Sequence, residues 1–287
     1  MSDRTILVTG ATGNTGRRVV SQLAALGHLV TAANRSPAAR DSAAGGSAAV
    51  RFDWYDPATY ADALRDADRV YLVPPIGEPH PAAVMLPFLQ QARAAGVQRA
   101  VLLSSSGIPA GGPGVGQVHG MLAELFGEWA VLRPSWFMQN FTDQHLHADS
   151  IRDDGVIMSA TGNGRVGFVD ADDIAAVAVR ALLDDPAPNT DLIITGPQAL
   201  SYEDIAAVIT EVGGRPVSHR PVTYEQLRDR LATDIPEEFA ALLAGLDHAI
   251  SQGAEDRVTD TVERLTGRPA RSFRAYCEEV TRLQVAE

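Results

Sequence analysis

The sequence predicts an α/β protein: a doubly wound parallel sheet with a small, mainly helical C-terminal lobe. Short apolar runs alternate with helical patterns through the first half, and a glycine-rich segment follows the first apolar run. After Pro134 the alternation gives way to helical patterns with one further strand. We therefore expect residues 1–134 to form the core of the sheet. Residues 135–287 are expected to return to the sheet and to form a lobe that binds substrate.

The predicted elements follow from the period of the apolar residues and from the glycines and prolines between them. The core strands are predicted at 5–9, 28–33, 48–52, 69–73, 99–104 and 129–133. Helices alternate with them, including 57–65, 81–95 and 115–126, and Gly27 ends the first helix. The second part is predicted to contain a strand at 191–195 and helices at 136–148, 171–183, 202–212, 224–231, 237–250, 258–265 and 272–283.

Composition excludes several classes of protein. Apolar residues make up 45% of the 287 residues, enough for a sizeable core, and the net charge of -12 opposes nucleic-acid binding. The single cysteine, Cys277, cannot form an internal disulfide. No apolar stretch has the length of a membrane span and no signal-peptide pattern precedes Thr5, so we expect a cytoplasmic protein without a membrane partner. The chain has no lysine, which excludes lysine-dependent catalysis.

Residues 8–16 read VTGATGNTG and have the glycine spacing of a dinucleotide-binding loop of the Rossmann type. The first glycine permits a tight turn, the second lets the backbone approach a pyrophosphate, and the third lets helix and strand pack closely. The helix that follows would direct free N–H groups at the phosphates. A glycine-rich turn without a ligand is the alternative. The loop residues expected to contact the cofactor are Gly10, Thr12, Gly13, Asn14, Thr15 and Gly16.

The end of the second strand predicts NADP(H) rather than NAD(H). An NAD site needs a carboxylate here for the ribose 2′-hydroxyl, and the segment Asn34-Arg35-Ser36 has none. Arg35 offers a planar set of donors that suits a 2′-phosphate, and Asn34 and Ser36 can add polar contacts. A solvated surface arginine is the alternative, but it leaves the missing carboxylate unexplained.

Four segments resemble the NmrA-like group of atypical short-chain dehydrogenases/reductases. They are TGATGNTG in the loop, LLSSSG at 102–107, LRPSWFMQN at 132–140 and FVDADDIA at 168–175. The resemblance covers most of the chain, and within the group it is greatest to the festuclavine/agroclavine dehydrogenase type of ergot alkaloid formation. It implies an NADP-binding fold and hydride transfer to a small molecule. Asp172 and Asp173 are better explained by the start of a helix than by catalysis.

The resemblance also implies further cofactor and substrate contacts. Residues near the adenine, the riboses and the nicotinamide would be Asp53, Trp54, Val73, Pro74, Ser104, Pro134, Ser135 and Phe137. Core packing is the alternative for Trp54, Trp136 and Phe137. The substrate pocket would include Trp136, Asn140, Gln144 and His145, and its further lining is predicted from Gln139, Phe141 and His147. Two histidines two residues apart on a helix would face different ways and are a poor metal pair.

The catalytic residues of classical members are missing. Those members place Tyr-x-x-x-Lys on the helix after the serine strand, but residues 115–126 contain no tyrosine. If Val115 occupies the tyrosine position, His119 occupies that of the lysine. His119 could donate a proton, bind the nicotinamide ribose or face solvent, and Ser105 could bond a substrate oxygen. The glycine-rich segment 107–116 before this helix is predicted to be a mobile active-site loop, with a surface connection as the alternative.

The missing proton donor indicates which type of bond the protein reduces. Reduction of a ketone creates an alkoxide that needs a placed proton donor, whereas hydride addition to an iminium carbon yields a neutral amine without one. We therefore expect an NADPH-dependent oxidoreductase acting on a small, largely apolar substrate, with C=N favoured, activated C=C second and C=O third. The alternative is a nonenzymatic regulatory protein that senses NADP(H), since such a protein would lose the same residues.

Overall fold

A seven-stranded sheet lies within the described residues, which are 5–36 and 47–286 of the computed structural model. Numbered along the chain, its strands are β1 (Thr5–Thr9), β2 (Leu29–Asn34), β3 (Ser47–Arg51), β4 (Ala67–Leu72), β5 (Arg99–Leu103), β6 (Glu128–Pro134) and β9 (Thr190–Ile194). Their order is β3-β2-β1-β4-β5-β6-β9, and the pairs from β3 to β6 are parallel. The order reverses direction beside β1, as in Rossmann-type sheets. The predicted fold class is confirmed.

Helices lie between strands of this sheet along the chain. They are α1 (Gly16–Ala25), α2 (Tyr60–Ala63), α3 (Pro81–Ala94), α4 (Val115–Leu125) and α6 (Ala171–Leu183). A helix was predicted over 57–65, but the chain forms a single 3-10 turn at Pro57–Thr59 before the short α2. Apolar residues of the sheet and of α3 and α4, such as Leu72, Phe88 and Leu122, are fully buried in one core. This core fixes the strands whose ends carry the glycine loop.

The chain divides into two compact units. The first comprises Met1–Pro134 and Ile174–Ile193, and the second comprises Ser135–Asp173 and Ile194–Glu287. The second unit contains α5 (Leu146–Asp154), β7 (Val156–Ser159), β8 (Arg165–Val166), β10 (Leu200–Ser201), α7 (Tyr202–Gly213), β11 (Ser218–Pro221), α8 (Tyr224–Leu231), α9 (Glu237–Ser251), α10 (Thr261–Thr266) and α11 (Phe273–Ala286). β7 pairs with β11 in parallel and β8 with β10 antiparallel. These four short strands were not predicted.

The helix predicted over 136–148 is wrong. This segment forms only a 3-10 turn at Met138–Phe141, and α5 begins at Leu146. Phe137 instead makes a β-bridge with Val169, and the buried Gln139 side chain bonds both the Asp170 carboxylate and the N–H of Ala171. These contacts with residues distant in sequence fix an irregular backbone where the local pattern favoured a helix.

Two arginines are buried at the starts of β4 and β5. The Arg99 side chain is fully buried and donates to the carbonyls of Ala181, Leu182 and Asp184 at 3.1, 3.0 and 2.7 Å. It also contacts the carboxylates of Glu128 and Asp185 at 2.7 and 3.1 Å. Arg69, 4% exposed, donates to the Leu182 carbonyl as well. These guanidinium groups satisfy the carbonyls that the end of α6 leaves without helical partners.

Among the residues that the structure describes, no helix combines the length and the apolar character needed to cross a bilayer.

Candidate functional site

The glycine loop forms a tight turn between β1 and α1. Gly10 has a φ of 60°, in the left-handed region that favours glycine, and its carbonyl accepts a hydrogen bond from the Gly13 N–H at 2.9 Å. The Thr15 side chain does not cap α1, and the Arg17 N–H of the first turn donates to the Gly13 carbonyl at 3.1 Å, so N–H groups of the first turn point along the loop. Such groups are suited to an anion. The loop therefore has the geometry of a phosphate site.

The three glycines are required for different reasons. A Cβ at Gly16 would lie 2.1 Å from the Gly10 carbonyl oxygen, and a Cβ at Gly10 would lie 2.9 Å from the Val73 side chain. Both positions therefore exclude larger residues by packing alone. A Cβ at Gly13 would meet only the Gly10 oxygen at 3.2 Å, and this residue is exposed. The absence of a side chain at Gly13 thus matters less for the fold than for what approaches the loop.

The ends of β1 and β4 lie side by side. The Thr9 hydroxyl donates to the Tyr71 carbonyl at 3.1 Å and accepts from the Val73 N–H at 2.8 Å. The Trp54 indole N–H donates to the Val73 carbonyl at 3.1 Å, and its half-buried ring packs edge-on against Phe52. The structure therefore brings the predicted cofactor residues Trp54, Val73 and Pro74 close to the glycine loop. Core packing accounts for part of the Trp54 ring, and an adenine contact by Trp54 or Asp53 stays a prediction.

Asn34 shapes the end of β2. Its side-chain oxygen accepts from the Ser36 N–H at 3.1 Å, while its amide nitrogen is buried and has no hydrogen-bond partner. Arg35 and Ser36, which follow it, are exposed. An unpartnered buried amide is costly unless a ligand or water bonds it. The arrangement presents one amide donor and one exposed guanidinium at the strand end predicted to bind the ribose phosphate.

The serine run after β5 is fixed by backbone contacts. The Ser104 and Ser106 N–H groups donate to Leu132 and Pro134 at 2.7 and 2.9 Å. Arg133 donates to the Ser106 carbonyl at 2.8 Å and to Asp191 at 2.6 Å. The Ser104 hydroxyl is buried without a partner. The cofactor contact predicted for Ser104 stays a prediction. The Ser105 side chain is half-buried, and its catalytic role stays a prediction.

His119 lies in the packing of the first unit. The side chain is 6% exposed, its ring centroid is 6.3 Å from that of Trp129, and its Nδ1 has no hydrogen-bond partner. Burial lowers the pKa of His119, with Asp191 opposing this shift and Arg133 adding to it. The alternative that His119 faces solvent is wrong. The imidazole is neutral at neutral pH, which makes it a weak proton donor.

In the second unit, the residues expected beside the nicotinamide form a segment with backbone hydrogen bonds to residues distant in sequence. The Val169 N–H donates to the Trp136 carbonyl, and the Met138 N–H donates to the Val169 carbonyl, both at 2.9 Å. Trp136 packs against the apolar core of this unit, as the packing alternative expected, and Phe137 is half-buried. The Ser135 hydroxyl is buried without a partner, and its contact with the nicotinamide stays a prediction.

His145 and His147 do not face different ways, because His145 precedes α5 instead of lying within it. His145 Nδ1 accepts the His147 N–H at 3.1 Å, and the two ring centroids are 5.0 Å apart. The His147 ring stacks on Phe141 at 5.6 Å. Burial, followed by the neighbouring His145 and His219, lowers the pKa of His147 to about 3. Asn140 is half-buried and Gln144 is exposed, so both side chains stay candidates for substrate contact.

The aspartates of the FVDADDIA segment have structural roles. Asp170 accepts from the Asp172 N–H at 3.0 Å and pairs with Arg271 at 2.9 Å. Asp173 is 1% exposed, pairs with Arg268 at 2.5 Å and accepts the Arg271 N–H at 2.7 Å. The prediction that a helix start explains Asp172 and Asp173 agrees with their place in the first turn of α6. Asp173 in addition binds the segment before α11, which its sequence position did not indicate.

The residues present fit a nicotinamide dinucleotide. The glycine loop offers backbone N–H groups to a pyrophosphate, and Asn34 and Ser104 each carry a buried polar atom without a protein partner. All three lie at the carboxyl ends of β1, β2 and β5, the edge where open parallel sheets bind ligands. The fold and this site define a dinucleotide-binding protein of the Rossmann type.

Comparison with known proteins identifies the family. A family described as NAD(P)H-binding matches residues 10–185, more than half of the chain. The Bacillus subtilis (strain 168) oxidoreductase YesF is 43% identical over 277 residues, which cover 96% of this chain and 95% of YesF. Agroclavine dehydrogenase of Claviceps fusiformis is 35% identical over 287 residues, covering 96% of each chain. The chain belongs to this NAD(P)H-binding family.

A solved structure shares the fold over almost the whole chain. The NADPH-dependent quinone oxidoreductase of Escherichia coli, complexed with NADPH, has a TM-score of 0.81 at 24% identity, covering 96% of this chain and 99% of that one. The likeness shows the fold. The family and the dehydrogenase relatives confirm the predicted class: the protein is an NAD(P)-dependent oxidoreductase with a nicotinamide cofactor.

Proposed function

We propose that the protein is an NADPH-dependent reductase of C=N bonds in small, largely apolar molecules. The proposal rests on one observation, which is that α4 offers no residue able to donate a proton to the substrate. This helix has no tyrosine, the chain has no lysine, and His119 on α4 is buried with a lowered pKa. No group of α4 is therefore suited to protonate an alkoxide at neutral pH.

A C=N substrate does not need such a group. Its protonated form carries positive charge on nitrogen, and hydride addition to the neighbouring carbon discharges it. A ketone would instead require a placed acid, which contributes about 10²–10⁴-fold to the rate. Activated C=C bonds rank second because their protonation can follow hydride transfer, and C=O bonds rank third. The name of one further relative, the NAD(P)H azoreductase of Xenophilus azovorans, agrees with reduction at a nitrogen double bond.

The residues of the chain then act mainly by positioning. NADPH, when bound, supplies the hydride. The glycine loop binds the pyrophosphate through backbone N–H groups, and Asn34, Arg35 and Ser36 bind the ribose phosphate. Ser104 contacts the cofactor with its buried hydroxyl. Precise orientation of the two reacting carbons supplies most of the rate enhancement, as in other reactions that need no covalent help from the protein.

Cofactor selectivity is expected to depend on Arg35. Its charge-assisted bonds to the 2′-phosphate contribute about 1.5–3 kcal/mol, so Arg35→Asp should weaken NADPH binding about tenfold to a hundredfold. NADH binding should change little, because NADH lacks that phosphate. Fluorescence titration of both cofactors measures the two dissociation constants. Arg93→Asp, which makes the same charge change at an exposed position near the end of α3, should leave both unchanged. Equal affinities for NADPH and NADH in the unmodified protein would contradict the assignment.

The choice of bond is tested with three bicyclic substrates of similar size, each with NADPH: the imine dihydroisoquinoline, the enone 4,4a,5,6,7,8-hexahydronaphthalen-2(3H)-one and the ketone tetralone. We expect the imine to have the highest kcat/KM. His119→Ala should then change kcat on the imine by less than about threefold, because hydride transfer to an iminium needs no enzymatic acid. A ketone as the best substrate, together with a loss of roughly 10²-fold on His119→Ala, would overturn the proposal.

A further inference from the structure

One buried acid of the second unit differs from the others because it has no arginine partner. In the part of the chain that the structure describes, four acidic side chains of this unit are buried. Three pair with arginine: Asp170 with Arg271 at 2.9 Å, Asp173 with Arg268 at 2.5 Å, and Glu255 with Arg257 at 3.2 Å. The fourth, Asp247, is 9% exposed and has no cationic partner among the residues that the structure describes. Buried carboxylates without a counter-charge are unfavourable and concentrate at functional sites.

The surroundings of Asp247 are polar and aromatic. Asp247 lies on α9 and accepts the Ala160 N–H at 3.0 Å. The residue before Ala160 bonds the His219 Nε2 through its hydroxyl at 2.9 Å. The Tyr202 ring lies 5.5 Å from the His147 ring and 5.8 Å from the His219 ring, measured between centroids. Tyr202 is fully buried, its hydroxyl has no hydrogen-bond partner, and burial followed by the Asp247 charge raises its pKa. The Asp247 carboxylate therefore borders the ring cluster that contains Tyr202, and neither side chain has a complete set of partners.

The neighbouring histidines do not neutralise this carboxylate. Burial lowers the pKa values of His147 and His219, and the His219 Nε2 is already bonded to the Ser159 hydroxyl at 2.9 Å. Burial also raises the pKa of Asp247 to about 6, so the carboxyl is ionised at neutral pH but at a free-energy cost. A ligand that brings positive charge would remove that cost. Faces of Phe141, Tyr202 and the two neutral imidazoles can add cation–π contacts.

We propose that Asp247 and the Tyr202 hydroxyl form a recognition site for the positively charged nitrogen of a cyclic amine or iminium substrate. The proposal rests on the proposed function, because the protonated imine and the ammonium product of C=N reduction both carry this charge. Neutral enones and ketones of the same shape would gain nothing from Asp247. The residue thereby selects the substrate class without taking part in hydride transfer.

Asp247→Asn is the principal test, because asparagine keeps an oxygen that can accept the Ala160 N–H and loses only the charge. The probe is tetrahydroisoquinoline, an ammonium ion at neutral pH, titrated by calorimetry into protein saturated with NADPH, so that amine and cofactor are both reduced and cannot react. Tetralin, its uncharged counterpart, is titrated in parallel. We expect the variant to bind the ammonium roughly tenfold or more weakly, and tetralin and NADPH as before. Glu238→Gln removes the same charge from an exposed position on α9 and should change nothing.

Thermal stability distinguishes ligand recognition from a structural role. The pKa of Asp247 is about 6 in the folded protein against the ordinary 3.8, so the folded state binds the proton more tightly. Its contribution to stability therefore falls as the pH rises from about 4 to about 6. Asp247→Asn should raise Tm above about pH 6 and have little effect below about pH 4. A structural Asp247 would instead give a lower Tm at every pH.

Tyr202→Phe provides a second variant that is safe for folding, since the hydroxyl has no partner in the protein. We expect an unchanged Tm and ammonium binding weakened roughly threefold or more. Unchanged ammonium binding in both variants, or no ammonium binding by the unmodified protein, would overturn the proposed site. Binding is measured without turnover. If ammonium binding depends on Asp247 but imines are not reduced, the proposed function fails and the site remains. If imines are reduced equally well by Asp247→Asn, the site fails alone.

Discussion

Gly13→Val is expected to weaken NADPH binding roughly a hundredfold or more, because a side chain there blocks the pyrophosphate and removes at least two charge-assisted bonds of about 1.5–3 kcal/mol each. The protein should remain folded, since Gly13 is exposed and a Cβ meets only the Gly10 oxygen at 3.2 Å. Titration of NADPH fluorescence gives the dissociation constant, and circular dichroism gives the fold. Gly16 is unsuitable for this test because a Cβ there would lie 2.1 Å from a backbone oxygen.

The matched control for this variant is Gly127→Val. Gly127 is an exposed glycine of the same unit, and an added Cβ has no atom within 4 Å. It lies between α4 and β6, away from the loop, and the variant should bind NADPH with unchanged affinity. Undiminished binding by Gly13→Val would show that the phosphates do not approach this turn.

Arg99→Met is expected to lower the free energy of unfolding by about 3–5 kcal/mol, because buried carbonyls lose a charged donor and each such loss costs about 1–3 kcal/mol. The change leaves the carbonyls of Ala181 and Asp184 without this donor, whereas the Leu182 carbonyl keeps Arg69. Tm should fall by roughly 10 °C. Scanning calorimetry or urea unfolding measures both quantities.

The comparison variant is Arg65→Met. Arg65 is exposed and pairs only with Asp62 in a surface contact, which contributes about 0.2–1 kcal/mol at most. A loss at Arg99 no larger than that at Arg65 would mean that the buried guanidinium is replaced by water or by rearranged side chains. The size of the difference therefore reports how far the end of α6 depends on one side chain.

The sheet and the phosphate loop could be predicted because their signals are local. A strand, three glycines and an amphipathic helix lie within about 25 residues, and each follows from backbone geometry. The predicted β1, the loop and the helix ended by Gly27 agree with β1, Gly10–Thr15 and α1. NADP(H) could be predicted over NAD(H) for the same reason, because the signal lies at the end of a single strand, where Arg35 is present and a carboxylate is absent.

The segment after Pro134 could not be predicted from local periodicity. Phe137 pairs with Val169, and Gln139 bonds Asp170 and Ala171, about thirty positions further along the chain. These long-range bonds override a helical pattern of apolar residues. His145 therefore precedes α5, and its ring lies beside that of His147.

The acidic site around Asp247 carried no sequence signal. Asp247 lies in an ordinary helical pattern, and only the fold brings it to Ala160 and Tyr202. An acid on a helix is usually a solvated surface residue. The same applies to Arg99, whose burial depends on carbonyls more than 80 positions away. Only the structure shows that the other buried acids of this unit pair with arginine and that Asp247 does not.

Deuterium transfer tests C=N reduction most directly. The measurement uses NADPH fully deuterated at the reactive carbon of the nicotinamide, dihydroisoquinoline as substrate, and mass spectrometry and NMR of the amine. We predict one deuterium per molecule of product, on the carbon that was doubly bonded to nitrogen, with NADPH consumed in equal amount. The contradicting result is an unreduced imine under conditions where the same preparation binds NADPH tightly and transfers deuterium to the carbonyl carbon of tetralone.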